Sequence, residues 1–144
     1  MRILVINPNT TRSMTGKIGK AASLAAGAGT EVQAVNPDDG PPSIEGYFDE
    51  VFAIPGIIAE MHKNPGMDAY VIGCFDDTGL DAARCATEAP VIGIGEAAFH
   101  MASLISGKFS VVTTLARSVP AIEHNLVKYG LSSRCAKVRA SDVP

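Results

Sequence analysis

Cys74 stands directly after the apolar run Tyr70-Val71-Ile72-Gly73 and directly before Phe75-Asp76-Asp77-Thr78-Gly79. A thiol at the C-terminal end of a strand faces the first N–H groups of the helix that follows. Those groups lower its pKa and make it a usable base or nucleophile. An isolated cysteine is as often core filler, but the polar loop behind Cys74 tips the reading toward function. Cys85 lies in an alanine-rich helical segment and reads as core filler. Cys135, after Ser132-Ser133-Arg134, reads as a surface or structural thiol. Asn7-Pro8-Asn9-Thr10-Thr11 gathers amides, hydroxyls and helix N–H groups that suit a carboxylate, an imide or a phosphate. Ordinary capping accounts for one of these threonines and less well for the whole cluster. Thr113, Thr114 and Ser118 can donate to ligand carbonyls, although a strand threonine and a serine cap are also unremarkable. Glu96 and His100 are one helical turn apart and could pair. His62 and His124 read as surface helical residues, structural or inert.

These residues need elements to hold them. Residues 2–6 form a short apolar run closed by Asn7-Pro8, which predicts a buried strand. Met14, Ile18, Ala21 or Ala22, and Ala25 mark one face of the next helix, with Thr10 or Thr11 as its cap and Gly27 and Gly29 at its end. A second strand is expected over 30–35. Residues 36–47 make a long turn-rich loop, more than a simple connection requires. A helix follows over 48–62, perturbed at Pro55-Gly56, then a strand over 69–73 and a short helix over 80–87. The rest reads as a strand over 90–94, a helix over 96–105, a strand over 109–113, a helix from Ser118 to Tyr129 with Pro120 in its first turn, and one more strand starting near 137–139. Such alternation predicts an α/β fold with a mostly parallel sheet covered on both faces. Right-handed crossovers place the strand-to-helix loops along one edge: 7–11, 36–47, 74–78, 93–97 and 113–118.

The 144 residues suffice for one ordinary domain with a real core. With 47% hydrophobic and 19% charged residues the chain is neither disordered nor low in complexity. Its formal charge of -3 gives no basic face, which argues against nucleic acid and against an anionic membrane surface as partners. No apolar run reaches spanning length, and the first strand is too short for a signal peptide. Three cysteines with no CxxC pair predict reduced thiols, a cytoplasmic location and no structural zinc. There is no GxGxxG and no GxxxxGK[ST] motif, which weakens dinucleotide and nucleoside-triphosphate readings.

Several segments, in order along nearly the whole chain, resemble the Asp/Glu/hydantoin racemase superfamily, and within it the hydantoin and allantoin racemase branch. They are 3–11 (ILVINPNTT), 43–46 (SIEG), 68–77 (DAYVIGCFDD), 90–97 (PVIGIGEA) and 109–114 (FSVVTT). The resemblance implies two similar α/β lobes with the active site between them. It also implies cofactor-independent catalysis, without a metal, by two cysteines that face the substrate from opposite sides. One takes the α proton and the other returns a proton to the other face. By resemblance, Cys74 is the first of these. The second lies in a GCAGM-like segment well downstream, beyond Pro144. The family chain also returns to complete its first lobe, so the expectation is a chain truncated relative to the family. We therefore expect a three-layer, flavodoxin-like first lobe over 1–94 and the beginning of a second lobe over 95–144. Exposed apolar helix faces and a homo-oligomer are expected with it.

The implied substrate is a 5-monosubstituted hydantoin, with allantoin as the natural alternative. The resemblance assigns Cys74 as the base. Backbone N–H groups near Phe75 and Asp76, with Thr113 and Thr114 nearby, would stabilise developing oxygen charge. Asn9 and Thr10 would hold the other ring carbonyl or an N–H. Ile44 and Phe75 would form an apolar wall, and Gly46 would permit close approach of its loop. Two rivals differ in class. A one-cysteine decarboxylase relative would release carbon dioxide from an α-substituted malonate. A non-catalytic binding domain, or an inactive form without the second cysteine, would bind ligand without turnover.

Overall fold

The computed structural model describes residues 1–143. Strand β1 (Arg2–Ile6) is followed by α1 (Arg12–Ala25), β2 (Glu31–Val35), α2 (Tyr47–Lys63), β3 (Ala69–Ile72), α3 (Leu80–Cys85) and β4 (Val91–Gly93). These strands form one parallel sheet in the order β2-β1-β3-β4. Then come α4 (Ile94–Ile105), β5 (Phe109–Thr113), a 3₁₀ turn (Ala116–Ser118), α5 (Val119–Lys128) and β6 (Cys135–Ala140). β5 and β6 make a second, two-stranded parallel sheet. The alternation legible in the sequence thus yields two parallel sheets with flanking helices.

Side chains alternate across a strand, so β1 sends Leu4 and Ile6 to one face and Ile3 and Val5 to the other. On the first face Leu4, Ile6, Tyr70, Ile72 and Val91 pack against Ile57 and Met61 of α2 and Leu80 and Ala83 of α3. On the other face α1 offers mainly alanines and Ile18. An apolar groove of about 570 Å³ runs between that helix and Ile3, Val5, Val32, Val71 and Ile94. The helical face marked by Met14, Ile18 and the alanines is therefore only half covered, and Met14 is exposed. A second core gathers Phe99 of α4, Val111, Val138, and Ile122 and Leu126 of α5. Tyr129 packs against both cores.

Three local expectations are corrected. Cys85, expected as core filler, is exposed at the end of α3, because the buried side of that short helix is Leu80 and Ala83. The cap of α1 is not a threonine hydroxyl. Thr11 occupies the cap position without a side-chain cap bond, and Asn9 Oδ1 instead accepts from the Thr11 N–H at 2.9 Å. Pro55 does not perturb α2, which runs through it. The carbonyl four residues earlier, deprived of a donor, belongs to exposed Val51. Gly56 brings that helix close to the 36–46 loop: a Cβ there would lie 2.8 Å from Pro37 Cβ.

Candidate active site

Cys74 leaves β3 where Gly73 holds the chain against β1; the Gly73 N–H donates to the Ile6 carbonyl at 2.7 Å. Its half-buried thiol packs against the first core. Thr78, itself 1% exposed, donates its hydroxyl to Cys74 Sγ at 3.5 Å. The Cys74 thiol is raised above its ordinary range, not lowered as its place before a helix suggested, because burial outweighs the donors around it. Hydrogen bonding from the Thr78 hydroxyl and from the backbone N–H groups of Asp76 and Thr78 pulls it back, while the Asp76 charge adds to the rise. The thiol thus sits against an apolar wall with several donors for its anion.

Polar contacts link five loops in turn, that of Cys74 among them. The Thr10 N–H donates to the Pro41 carbonyl, and the Thr11 hydroxyl to that of Pro42. The 36–46 loop then reaches the 3₁₀ turn that follows β5. Glu45 pairs with Arg117 at 2.8 Å, Ser118 Oγ donates to the Glu45 carbonyl, and a Cβ on Gly46 would lie 3.3 Å from the Arg117 carbonyl. Asn125 Nδ2 donates to the Asp76 carbonyl at 2.7 Å. Asp77 reaches the 93–97 segment through the N–H groups of Gly95 and Glu96.

Beside the Cys74 loop lies a cavity of about 240 Å³, lined in part by Tyr47, Glu50, Ile54, Asp76 and Asn125. Burial pushes the Asp76 carboxyl up to about 6, against the hydrogen bond from Ser118 and with a contribution from the Asp77 charge. Glu50 is raised by burial and by Asp76, and Tyr47 by burial and by both carboxylates. Tyr47 also bonds to His124 Nδ1 at 2.5 Å and stacks on its ring, so α2 and α5 are clasped at this cavity.

The expected site residues divide. Phe75 and Asp76 share the loop of Cys74, but they point to different partners. The Phe75 ring sits edge-on to Phe99 in the second core at 5.3 Å between centroids. Asn9 is 6% exposed and uses its amide on the loop itself: Oδ1 accepts from Asn7 Nδ2 and the Thr11 N–H, and Nδ2 donates to Met14 Sδ. Thr10 is tied to Pro41, Ile44 is half-buried, and Gly46 is buried against Arg117. Thr113 and exposed Thr114 use their carbonyls on the N–H groups of Ser141 and Asp142, after β6. Glu96 does not pair with His100; it takes Arg84 at 2.6 Å. The part played by Asn125 and Tyr129 was not foreseen, since a single sequence carries no signal that α5 folds back onto a loop some 50 residues earlier.

The model of the Asp/Glu/hydantoin racemase family matches residues 3–144. The chain belongs to the Asp/Glu/hydantoin racemase family. A hydantoin racemase of Rhizobium meliloti is 52% identical over 146 residues, covering 100% of this chain and 61% of the relative. Among solved structures, an allantoin racemase from Klebsiella pneumoniae superposes with a TM-score of 0.96 at 48% identity, with 100% of this chain and 60% of that one covered. An allantoin racemase from Pseudomonas fluorescens gives 0.95 at 39% identity, with 100% and 62% covered. The chain thus spans about three fifths of the length of these family members. Among the described residues no helix is long and apolar enough to cross a membrane.

Proposed function

We propose that the Cys74 loop is one half of a proton-transfer site acting at carbon 5 of a 5-monosubstituted hydantoin ring, with allantoin as the substrate. The observation that carries this reading is the setting of the Cys74 sulfur, held between an apolar core and the donors of its own loop. The hydrogen on carbon 5 lies beside a ring carbonyl. Cys74 thiolate takes it as a proton, the C–H pair moves into that carbonyl as an enolate, and the thiol returns a proton to the same face in the reverse direction. Racemisation needs a second group on the opposite face. Cys85 is exposed and Cys135 packs against the second core, so neither is assigned that role. The ring carbonyls acidify the carbon themselves, and the reading invokes no metal or prosthetic group.

Allantoin is favoured over hydantoins with apolar substituents for two reasons. Two structurally similar family members are allantoin racemases. Phe75 is also committed to Phe99, which leaves Asp76, Ser118 and Asn125, polar groups suited to a ureido substituent, beside the loop. Asn9 and Thr10 shape the loop facing the other ring edge, and Thr114 is assigned to ring oxygen. The same proposal places a first lobe at 1–94 and a second at 95–144. The test is exchange of the carbon-5 hydrogen in deuterated water, one enantiomer of allantoin at a time. Exchange lost in Cys74→Ser supports the reading. Undiminished exchange and racemisation of both enantiomers in that variant overturns it.

A further inference from the structure

Asp77 has φ of +53°, in the left-handed region that non-glycine residues rarely enter. It is 6% exposed, and every hydrogen-bonding group it carries into the loop is engaged. Its N–H donates to the Cys74 carbonyl at 3.1 Å. Its Oδ1 accepts from the Gly95 N–H at 2.9 Å, and its Oδ2 accepts from the Glu96 N–H at 2.7 Å and from the Tyr129 hydroxyl at 2.8 Å. The carboxylate therefore sits on the N-terminus of α4, 12 residues long, and is gripped from the other side by the residue that packs against both cores. The room for it is made by glycine. A Cβ on Gly93 would lie 2.1 Å from Asp77 Oδ1. A Cβ on Gly95 would lie 2.3 Å from the Phe75 carbonyl and 2.8 Å from Asp77 Oδ2.

Thr78, the residue after Asp77, donates its hydroxyl to Cys74 Sγ at 3.5 Å, and the Asp77 N–H closes the turn on the Cys74 carbonyl. The backbone N–H groups of Asp76 and Thr78, on either side of Asp77, favour the thiolate. A right-handed residue followed or preceded by a left-handed one turns successive N–H groups to the same side and makes a concave anion seat. We infer that Asp77 is the positioning residue for Cys74: its left-handed backbone turns the flanking residues, Thr78 with its hydroxyl among them, toward the sulfur, and its carboxylate, locked between α4 and Tyr129, holds that turn. The inference rests on the reading of Cys74 as the proton-transfer group, but it concerns the thiol itself and is tested without substrate. It also explains why Gly93 and Gly95 stand at the start of α4, and why Tyr129 carries a hydroxyl where packing alone would take phenylalanine.

A positioning role and a charge effect predict opposite signs. The carboxylate whose charge acts on the thiol is Asp76, and the charge of its neighbour Asp77 acts on Asp76. Glu96 of α4 lies beyond Asp77 and is neutralised by Arg84 of α3. Removing a negative charge from this group by Asp77→Asn would by itself make the thiolate easier to form. Loosening the turn makes it harder, because the sulfur loses donors. Asparagine tolerates the left-handed conformation, but its NH₂ faces a donor where Oδ2 faced the Glu96 N–H and the Tyr129 hydroxyl.

The experiment is the pH dependence of iodoacetamide alkylation at each cysteine, resolved by peptide mass spectrometry, with exposed Cys85 as the internal control. In Asp77→Asn the midpoint for Cys74 is expected to rise by about one pH unit, a tenfold loss of thiolate below the midpoint. Tyr129→Phe is expected to shift it the same way by a smaller amount, about two- to threefold. Cys85 stays unchanged in both. A folded Asp77→Asn with the Cys74 midpoint unmoved or lowered overturns the inference. If that variant does not fold, Tyr129→Phe decides: an upward shift supports the inference and an unmoved midpoint overturns it. Carbon-5 exchange in Cys74→Ser addresses the function separately, so the alkylation result stands or falls on its own.

Discussion

The two faces of the first sheet are made from equally apolar strands and end in different states. Leu4, Ile6 and Ile72 on one face are fully excluded from solvent beneath α2 and α3. Ile3, Val32 and Val71 on the other line an open groove beside the alanine-rich α1. The difference lies in the helices, not the strands. α2 brings Ile57 and Met61, side chains long enough to reach between strands, whereas α1 brings Ala21, Ala22 and Ala25. Apolar strand composition alone does not seal a sheet; the partner helix must supply volume.

The largest expected effect tests the sealed face. Ile57→Ala should cost about 2–5 kcal/mol of unfolding free energy, whereas Ile18→Ala on the groove should cost less than about 1 kcal/mol. Equal losses in urea unfolding would break the comparison. Adding volume should reverse the sense. Ala83→Leu, at a site with no exposure, should destabilise by about 1–3 kcal/mol, and Ala22→Leu, which points into the groove, should be neutral or slightly stabilising. A further difference belongs to the carboxyl end of the sheet. Asp76 is raised to about 6 in the folded protein, above its unfolded value, so its proton is bound more tightly when folded. The stability this contributes is fully present below the unfolded pKa and is lost as pH rises through about 6. Asp76→Asn should therefore gain about 1–2 kcal/mol on the wild type between pH 4 and pH 7, a figure lowered to allow for partial solvent screening. Parallel pH profiles of the two proteins would count against that coupling. The smallest effect is expected at the surface beside the edge strand. Asp38→Asn breaks a pair with Arg12 that is exposed on both sides, and should change stability by less than about 0.5 kcal/mol at ordinary salt.

β1 and β3 were legible because each is a short apolar run closed by turn residues, Asn7-Pro8 after β1 and Gly73-Cys74 after β3, whereas β6, with Lys137 and Arg139 in it, showed only its middle. The start of α4 was not. Expected at residue 96, it begins at Ile94, because the Asp77 carboxylate receives the N–H groups of Gly95 and Glu96 in its first turn. Cys74 stood out from its place at a strand end. Its surroundings did not, since Ser118 and Asn125 reach Asp76 of its loop, and Tyr129 reaches Asp77, across about 40 to 50 residues of chain, and periodicity is blind to such contacts. Phe75 shows the same limit in reverse. Its position in the loop suggested a wall for a ligand, and its neighbour Phe99 draws it into the second core instead.

The strand order β2-β1-β3-β4 also bears on how the chain must emerge from the ribosome. β1 is made first, yet it lies inside the sheet. Its pairing with β2 is available once residue 35 is out, but its other neighbour ends at residue 72. At a synthesis rate of about 5–20 residues per second, the nascent chain spends roughly 2–8 seconds with one long edge of β1 unpaired. During that interval Leu4 and Ile6 have no β3 beside them and no α3 above them. The stretch Ile3-Leu4-Val5-Ile6 then presents an open apolar strand edge that a chaperone would shield.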